Sequence, residues 1–181
     1  MLPAIRPYAP ADLDPLIDCW FDTWHATFAP RLHPQPRHHW RRRFLDDYSH
    51  QAEIWIAPHS TAVAGFLVLL PEAGWLEQLF VAPHHQRRGL GRALLALARF
   101  RCPASPTGHG GLALDTPVEN LPAREFYRRH GFHAQQIGFD TVTQRLTLRY
   151  ACEALRSPYV TPATNSNPTT VIAAPNCSDR G

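Results

Sequence analysis

The segment Trp75-Leu76-Glu77-Gln78-Leu79-Phe80-Val81-Ala82-Pro83 is followed by His84-His85-Gln86-Arg87-Arg88-Gly89-Leu90-Gly91 and then by Arg92-Ala93-Leu94-Leu95-Ala96-Leu97-Ala98-Arg99-Phe100-Arg101. Aromatic and β-branched residues mark the first part as a strand ending at Pro83, and the leucine- and alanine-rich third part reads as a helix beginning after Gly91. The stretch is strand, tight loop, helix. Gly89 and Gly91 permit positive φ and put no side chain between the backbone amides and a ligand. Several N–H groups can then point outward at the positive end of the helix, which makes an anion cradle.

Two common phosphate loops do not fit this cradle. The loop of nucleotide triphosphatases needs Lys-Ser or Lys-Thr after its glycine, and the chain has no lysine. A dinucleotide fingerprint needs a third glycine where Leu94 stands. The run Gln86-Arg87-Arg88-Gly89-Leu90-Gly91, preceded by Val81-Ala82-Pro83, instead resembles the Gln/Arg-x-x-Gly-x-Gly/Ala pyrophosphate loop of the GNAT superfamily of N-acetyltransferases, with that family's usual Val-x-Pro. A second stretch, Asn120-x-x-Ala123-x-x-Phe126-Tyr127-x-x-x-Gly131-Phe132, is similar to the GNAT segment that packs beside the coenzyme. Both signatures stand in family order, one helix and one strand apart, and the resemblance covers about residues 4–150.

The resemblance implies an α/β (α+β) fold whose mixed, mostly antiparallel central sheet splays between two neighbouring strands and is flanked by about four helices. Residues Leu76 to Val81 would form one wall of the opening and Leu112 to Asp115 the other. The pantetheine arm of acetyl-CoA would bind there like an added strand, against the main chain around Phe80 and Val81. Its pyrophosphate would rest on the amides of Arg87 to Arg92, with Arg87 and Arg88 supplying positive charge. The expected coenzyme contacts are therefore Leu79, Phe80, Val81, Gln86, Arg87, Arg88, Gly89, Leu90, Gly91, Arg92, Asn120, Phe126 and Tyr127. Asn120 matches a family position that bonds the pantetheine or a nearby water, and it is equally a good helix cap.

Acyl transfer to an amine requires the amine to be neutral, and the departing thiolate is stabilised by a proton. Glu77 is the only ionisable side chain between Gly74 and Pro83, at a strand position where some GNAT enzymes carry their base. Desolvation in apolar surroundings raises a carboxylate's affinity for a proton, which suits a base working near neutrality. Water-mediated deprotonation, or a polar residue on a wet sheet face, are the other readings of Glu77. Tyr127 aligns with the family tyrosine that approaches the coenzyme sulfur and is the expected general acid; the alternative is a core tyrosine with a satisfied hydroxyl. No nucleophile with a partnered base is evident, which favours direct transfer.

The remainder of the chain fits around this centre. Ala4 to Tyr8 reads as a strand, and a turn at Pro10 or Asp12 starts a helix in which Leu16, Ile17, Trp20, Phe21, Trp24 and Phe28 recur at helical spacing. In a GNAT fold Trp20, Trp24, His25 and Phe28 would lie by the acceptor groove, although such stripes also form plain core. Pro30 to Pro36 is a loop and Arg37 to Leu45 a basic helix. Glu53–Ala57 and Ala62–Leu70 form a hairpin. Pro103 to Gly111 is a loop, Leu112 to Asp115 a strand, Leu121 to His130 a helix broken by Gly131, and Gln136–Phe139 with Thr143–Tyr150 a closing hairpin whose second strand alternates polar and apolar residues. Residues 1–155 form the expected acetyltransferase domain. Residues 156–181, rich in Ser, Thr, Asn and Pro, read as a disordered tail.

The formal charge of +3 over 181 residues is too small for a nucleic-acid footprint, and the basic run Arg37 to Arg43 reads as a solvated helix face. Cys19, Cys102, Cys152 and Cys177 are far apart and read as reduced thiols, and neither they nor the His38-His39 and His84-His85 pairs have metal spacing. Asp12, Asp14 and Asp18 near the start argue against a secretory signal, and no apolar run reaches membrane length, so a soluble cytoplasmic protein without a membrane partner is expected. The sequence points to an acyl-CoA-dependent N-acyltransferase, most simply using acetyl-CoA, without a metal. A small-molecule primary amine is the preferred acceptor, since a tryptophan-rich helix and a proline-rich loop can close an aromatic pocket. A protein lysine or N-terminal amine, or a non-catalytic acyl-CoA-binding module, are the other readings; a homodimer is left open.

Overall fold

The computed structural model describes residues 3–28, 36–102, 111–141 and 143–153. The expected loops around Pro30 to Pro36 and Pro103 to Gly111 fall largely outside these residues, and the 156–181 tail lies wholly outside them. Among the described residues seven strands form one sheet in the order β1-β2-β3-β4-β5-β7-β6. They are β1 (Arg6–Pro7), β2 (Glu53–His59), β3 (Ala62–Leu70), β4 (Trp75–Val81), β5 (Gly111–Pro117), β6 (His133–Asp140) and β7 (Arg145–Glu153). The helices are α1 (Leu13–Phe28), α2 (Arg37–Asp47), α3 (Leu90–Arg101) and α4 (Leu121–Arg129). Every strand pairing is antiparallel except β4 with β5. This is the mixed, mostly antiparallel sheet with four helices that the resemblance implied.

The uninterrupted apolar run of β3 follows from burial on both faces. Val63, Phe66 and Val68 join Leu16, Ile17 and Trp20 of α1 and Trp40 and Phe44 of α2, whereas Ala64, Leu67 and Leu69 join Leu90, Leu94, Leu95 and Ala98 of α3. Phe66 is fully buried, which contributes about 1.5–3 kcal/mol of hydrophobic stabilisation; truncation to alanine would add the cost of a cavity between α1 and the sheet. Pro58 can donate no ladder hydrogen bond, and the β2–β3 register shifts beside it, between Ala57 and Pro58.

Element boundaries differ from the sequence reading where pairing or turn chemistry outweighs propensity. β1 shrinks to Arg6–Pro7 because a 3-10 turn at Pro10–Asp12 redirects the chain. The Asp12 carboxylate closes that turn by accepting from the Ala9 amide at 2.8 Å and by pairing with Arg6. β7 starts at Arg145 because Thr143 and Gln144 form a turn: Asp140 accepts from the Thr143 amide and hydroxyl, and Gln144 has φ 55°. β5 extends to Pro117 and β7 to Glu153 because their ladder runs from Gly111↔Glu153 to Pro117↔Thr147. The α3 helix begins one residue before Gly91, at Leu90, because Gly89 takes the N-cap with φ 86°.

Two half-sheets, β1-β2-β3-β4 and β5-β7-β6, meet at one place. Trp75 pairs with Ala113, and the Ala113 amide donates to the Gly74 carbonyl at 2.9 Å. Beyond that junction β4 and β5 part. Gly74 is required there: its φ is 60°, and a Cβ would stand 2.7 Å from the Gly111 carbonyl oxygen.

Candidate active site

Along β4 the register with β3 slips by one residue. Gln78 pairs with Val68 and Leu76 with Leu69, leaving Glu77 as the extra residue of a β-bulge. The slip explains why Leu76, Leu79 and Val81 all face the α3 side, although 76 and 79 would point oppositely in a regular strand. It also turns the neighbours Glu77 and Gln78 toward one point, the hydroxyl of Tyr48 at the end of α2. Tyr48 donates to Glu77 Oε1 at 3.2 Å and accepts from Gln78 Nε2 at 3.0 Å and Arg43 Nη2 at 3.3 Å. Burial pushes the Tyr48 phenol up to about 12, with the nearby Glu77 charge acting in the same direction. Tyr48 therefore stays a donor at neutral pH. The other Glu77 oxygen accepts from Trp75 Nε1 at 2.8 Å.

Glu77 opens onto a groove of about 2080 Å³ that follows the parting of β4 and β5. Three other acids on its wall are committed to cations: Asp115 to Arg149, Glu119 to Arg145 and Glu125 to Arg128 and Arg129. Among the described residues Glu77 accepts only from neutral donors, so its charge is oriented without being cancelled. Tyr127 of α4 borders the same groove and is 7% exposed. Burial drives its phenol upward, so it is protonated and able to give a proton. No described residue accepts a hydrogen bond from its hydroxyl.

At the other end of the groove, Gln86, Arg87, Gly89, Gly91 and Arg92 form the lining where α3 begins. Arg87 adopts φ 59° and Gly89 φ 86°, so two left-handed residues turn the chain into the helix. Gln86 Nε2 ties this loop to the Val81 carbonyl at 2.9 Å. The amides of Leu90, Gly91 and Arg92 have no carbonyl a turn below them and sit at the positive end of the helix. With two arginines beside them, these donors fit a pyrophosphate. An ideal Cβ at Gly91 would meet the Phe126 ring at 3.5 Å, an ordinary contact, so the start of α3 packs on α4 without this position demanding glycine.

Leu79, Phe80, Val81, Asn120 and Phe126 also line the groove, and Asn120 Oδ1 caps α4 by accepting from the Ala123 amide at 3.2 Å. Two of the expected coenzyme contacts have side chains off the groove. Leu90 is 2% exposed and turns its side chain into the core, leaving only its amide at the loop, and the Arg88 side chain is exposed outside the lining. On the acceptor side, Trp20, Trp24 and Phe28 form a wall with Trp40, with Trp20–Trp40 and Trp24–Trp40 ring centroids 4.8 and 5.2 Å apart. His25 is not part of that wall: its Nδ1 contacts the Phe21 carbonyl at 2.8 Å and its ring lies on Phe21. Trp20 is 1% exposed, so it is mostly core and only partly wall.

Sequence reasoning missed Tyr48, Arg43, Trp75, Glu119, Arg145 and Arg149. A signal existed for the last two: the alternation of β7 puts Arg145, Thr147 and Arg149 on one face, and that face borders the groove. Cys19 and Cys102 are buried, which pushes their thiols up to about 12 and about 11, so neither is a nucleophile near neutral pH. Among the described residues no cluster of three His, Cys, Asp or Glu side chains could hold a metal ion, and no helix is long and apolar enough to cross a membrane.

A family model described as the acetyltransferase (GNAT) family matches residues 16–132. Among curated proteins, the peptidyl-lysine N-acetyltransferase YiaC of Escherichia coli (strain K12) is 28% identical over 145 residues, spanning 77% of this chain and 90% of YiaC. Among solved structures, a GCN5-related N-acetyltransferase from Rhodopseudomonas palustris superposes with a TM-score of 0.66 at 20% identity, covering 84% of this chain and 96% of that one. The PaiA N-acetyltransferase of Thermoplasma acidophilum, solved in complex with coenzyme A, gives 0.62 at 21% identity over 82% and 98%. These two likenesses concern the fold.

Proposed function

The chain belongs to the GNAT family of acetyltransferases, and from that premise we propose that it transfers acetyl from acetyl-CoA directly to a primary amine, the side-chain amine of a peptide lysine. The observation that carries this reading is the continuity of one groove from the amide cradle of α3, past the parted edge of β4, to a carboxylate held by neutral donors only. The lysine acceptor is supported by the peptidyl-lysine activity in the name of YiaC. The aromatic wall of Trp24, Phe28 and Trp40 favours a second reading, a small-molecule amine with an apolar body.

Acetyl-CoA supplies the activated acyl group, and the protein's share is to hold it and to move protons. The α3 amides, Arg87 and Arg92 hold the diphosphate, and the free edge of β4 around Phe80 and Val81 takes the pantetheine arm as an added strand. Main-chain amides of that edge can bond the carbonyl oxygen as charge develops on it. Glu77 takes a proton from the acceptor ammonium, the nitrogen bonds to the acyl carbon, and the carbon–sulfur bond breaks. Tyr127 gives its proton to the departing thiolate, the second proton shed by the nitrogen as the amide forms passes through solvent to restore Tyr127, and Glu77 returns its own proton to solvent. Charge balances throughout, and no covalent enzyme intermediate is needed.

The test is release of free coenzyme A thiol from acetyl-CoA with lysine peptides and with a panel of small amines. Turnover with peptides, reduced at least about tenfold in kcat/KM by Glu77→Gln, is expected. Turnover confined to small amines selects the second reading; no affinity for acetyl-CoA overturns both.

A further inference from the structure

We infer that Arg145 forms a carboxylate-binding end to the acceptor groove, so that the preferred amine carries an anionic group at the far end of an apolar stem. The inference rests on the acetyl-transfer reading given above. Arg145 opens β7 and borders the groove on the same face as Thr147 and Arg149. Its side chain is 9% exposed, with the guanidinium carbon 4.4 Å from the Phe28 ring centre and 6.0 Å from that of Trp24. Glu119 Oε1 lies 2.9 Å from Nη1. That approach is out of line for a hydrogen bond, and the buried Nη1 has no hydrogen-bond partner. The Arg145 guanidinium, though ion-paired with Glu119, has no side-chain hydrogen bond to a described residue.

Two other arginines of this wall do make side-chain hydrogen bonds, although Arg43 Nε is, like Arg145 Nη1, buried without a hydrogen-bond partner. Arg149 gives Nε and Nη2 to Asp115, each at 3.0 Å, and Arg43 gives Nη2 to Tyr48. A guanidinium presents five N–H donors in a planar fork, and leaving such a group desolvated without acceptors is costly. The ligand chemistry that answers a planar fork is a carboxylate. Glu119, 37% exposed, can turn toward water when a ligand carboxylate arrives. A chain of ring contacts runs from Arg145 through Trp24, Trp40 and Trp20 toward Tyr48 and Glu77, and Trp24, the half-buried one of the three, is the ring placed to lie along methylene groups. Amine, apolar stem and carboxylate together describe a lysine with a free α-carboxylate or a lysine beside an acidic residue.

The test uses two matched pairs of acceptors at saturating acetyl-CoA: Nα-acetyl-lysine against its carboxamide, and a lysine peptide flanked by Glu against the same peptide flanked by Gln. Wild-type protein is expected to favour the carboxylate member of one pair by about tenfold or more in kcat/KM, through KM, as a charge-assisted hydrogen bond implies. The responding pair identifies the source of the carboxylate. Arg145→Gln is expected to bring that pair to parity with the KM for acetyl-CoA unchanged, and Arg145→Lys, lacking the fork, to keep only part of the preference. Should Arg145→Gln fail to fold, the wild-type ratio and the Lys variant decide. Parity of both pairs in the wild type, or a preference that survives Arg145→Gln, overturns the carboxylate site while leaving acetyl transfer intact. Absence of acetylation on every lysine acceptor overturns it together with the lysine reading.

Discussion

The Tyr48 hydroxyl and the Glu77 carboxylate, 29 residues apart in sequence, meet at 3.2 Å because a one-residue bulge in β4 turns Glu77 and Gln78 to the same side. Tyr48 fixes the direction of the carboxylate and collects donors from Gln78 and Arg43. Replacing Tyr48 by Phe removes a donor from Glu77 and leaves those two N–H groups without their acceptor. The expected result is a stability loss of about 1–3 kcal/mol in denaturant unfolding and a lower kcat at unchanged KM for acetyl-CoA. A wild-type kcat would remove Tyr48 from the positioning of Glu77.

Tyr127 is buried and protonated beside the groove. Tyr127→Phe is expected to lower kcat by about 100-fold, the usual size of a general-acid contribution, while acetyl-CoA affinity by calorimetry changes little. A loss of affinity with kcat preserved would make Tyr127 a packing residue.

Gly74 has left-handed φ and no room for a Cβ against Gly111. Gly74→Ala is expected to cost at least about 1–3 kcal/mol from the backbone conformation alone and to weaken acetyl-CoA binding by displacing the root of the opening. Wild-type stability would mean that the junction is not rigid.

Asp12 is held below its ordinary value of 3.8, chiefly by its hydrogen bonds with Arg6 and against some desolvation. A carboxylate whose folded value is depressed contributes stability above its unfolded value and loses it as pH falls through the folded one. Thermal melts of the wild type should therefore fall away as pH drops below 3.8. Asp12→Asn should be less stable at neutral pH and show a shallower acid decline; parallel curves would assign no linkage to Asp12.

The strand, glycine loop and helix from Trp75 to Arg101 were legible because each part has a local chemical signature: strand composition, positive-φ glycines, helix formers. The double burial of β3 was visible as a continuous apolar run. The bulge at Glu77 was not, since one extra residue in a strand leaves no compositional trace and shows only when the partner's register is known. Tyr48 was hidden for a related reason, because its partners come from another element. Leu90 and Arg88 match the loop motif as letters, yet their side chains lie off the groove, Leu90 in the core and Arg88 in solvent. His25 fell within an aromatic stripe, but its ring turns back onto Phe21, about one helical turn away.

Trp75↔Ala113 is the one ladder pair, among the described residues, that joins the two plates of the sheet, which otherwise meet through the buried core shared by their α3 faces. Beyond that junction the β4 edge facing β5 has no further ladder partner among the described residues, and an extended donor arm laid along it, as proposed above, would supply the missing rungs and stiffen the sheet as it loads. Amide protons of β4 and β5 are accordingly expected to exchange with solvent more slowly once coenzyme A spans the gap, and the empty molecule to yield first along that seam.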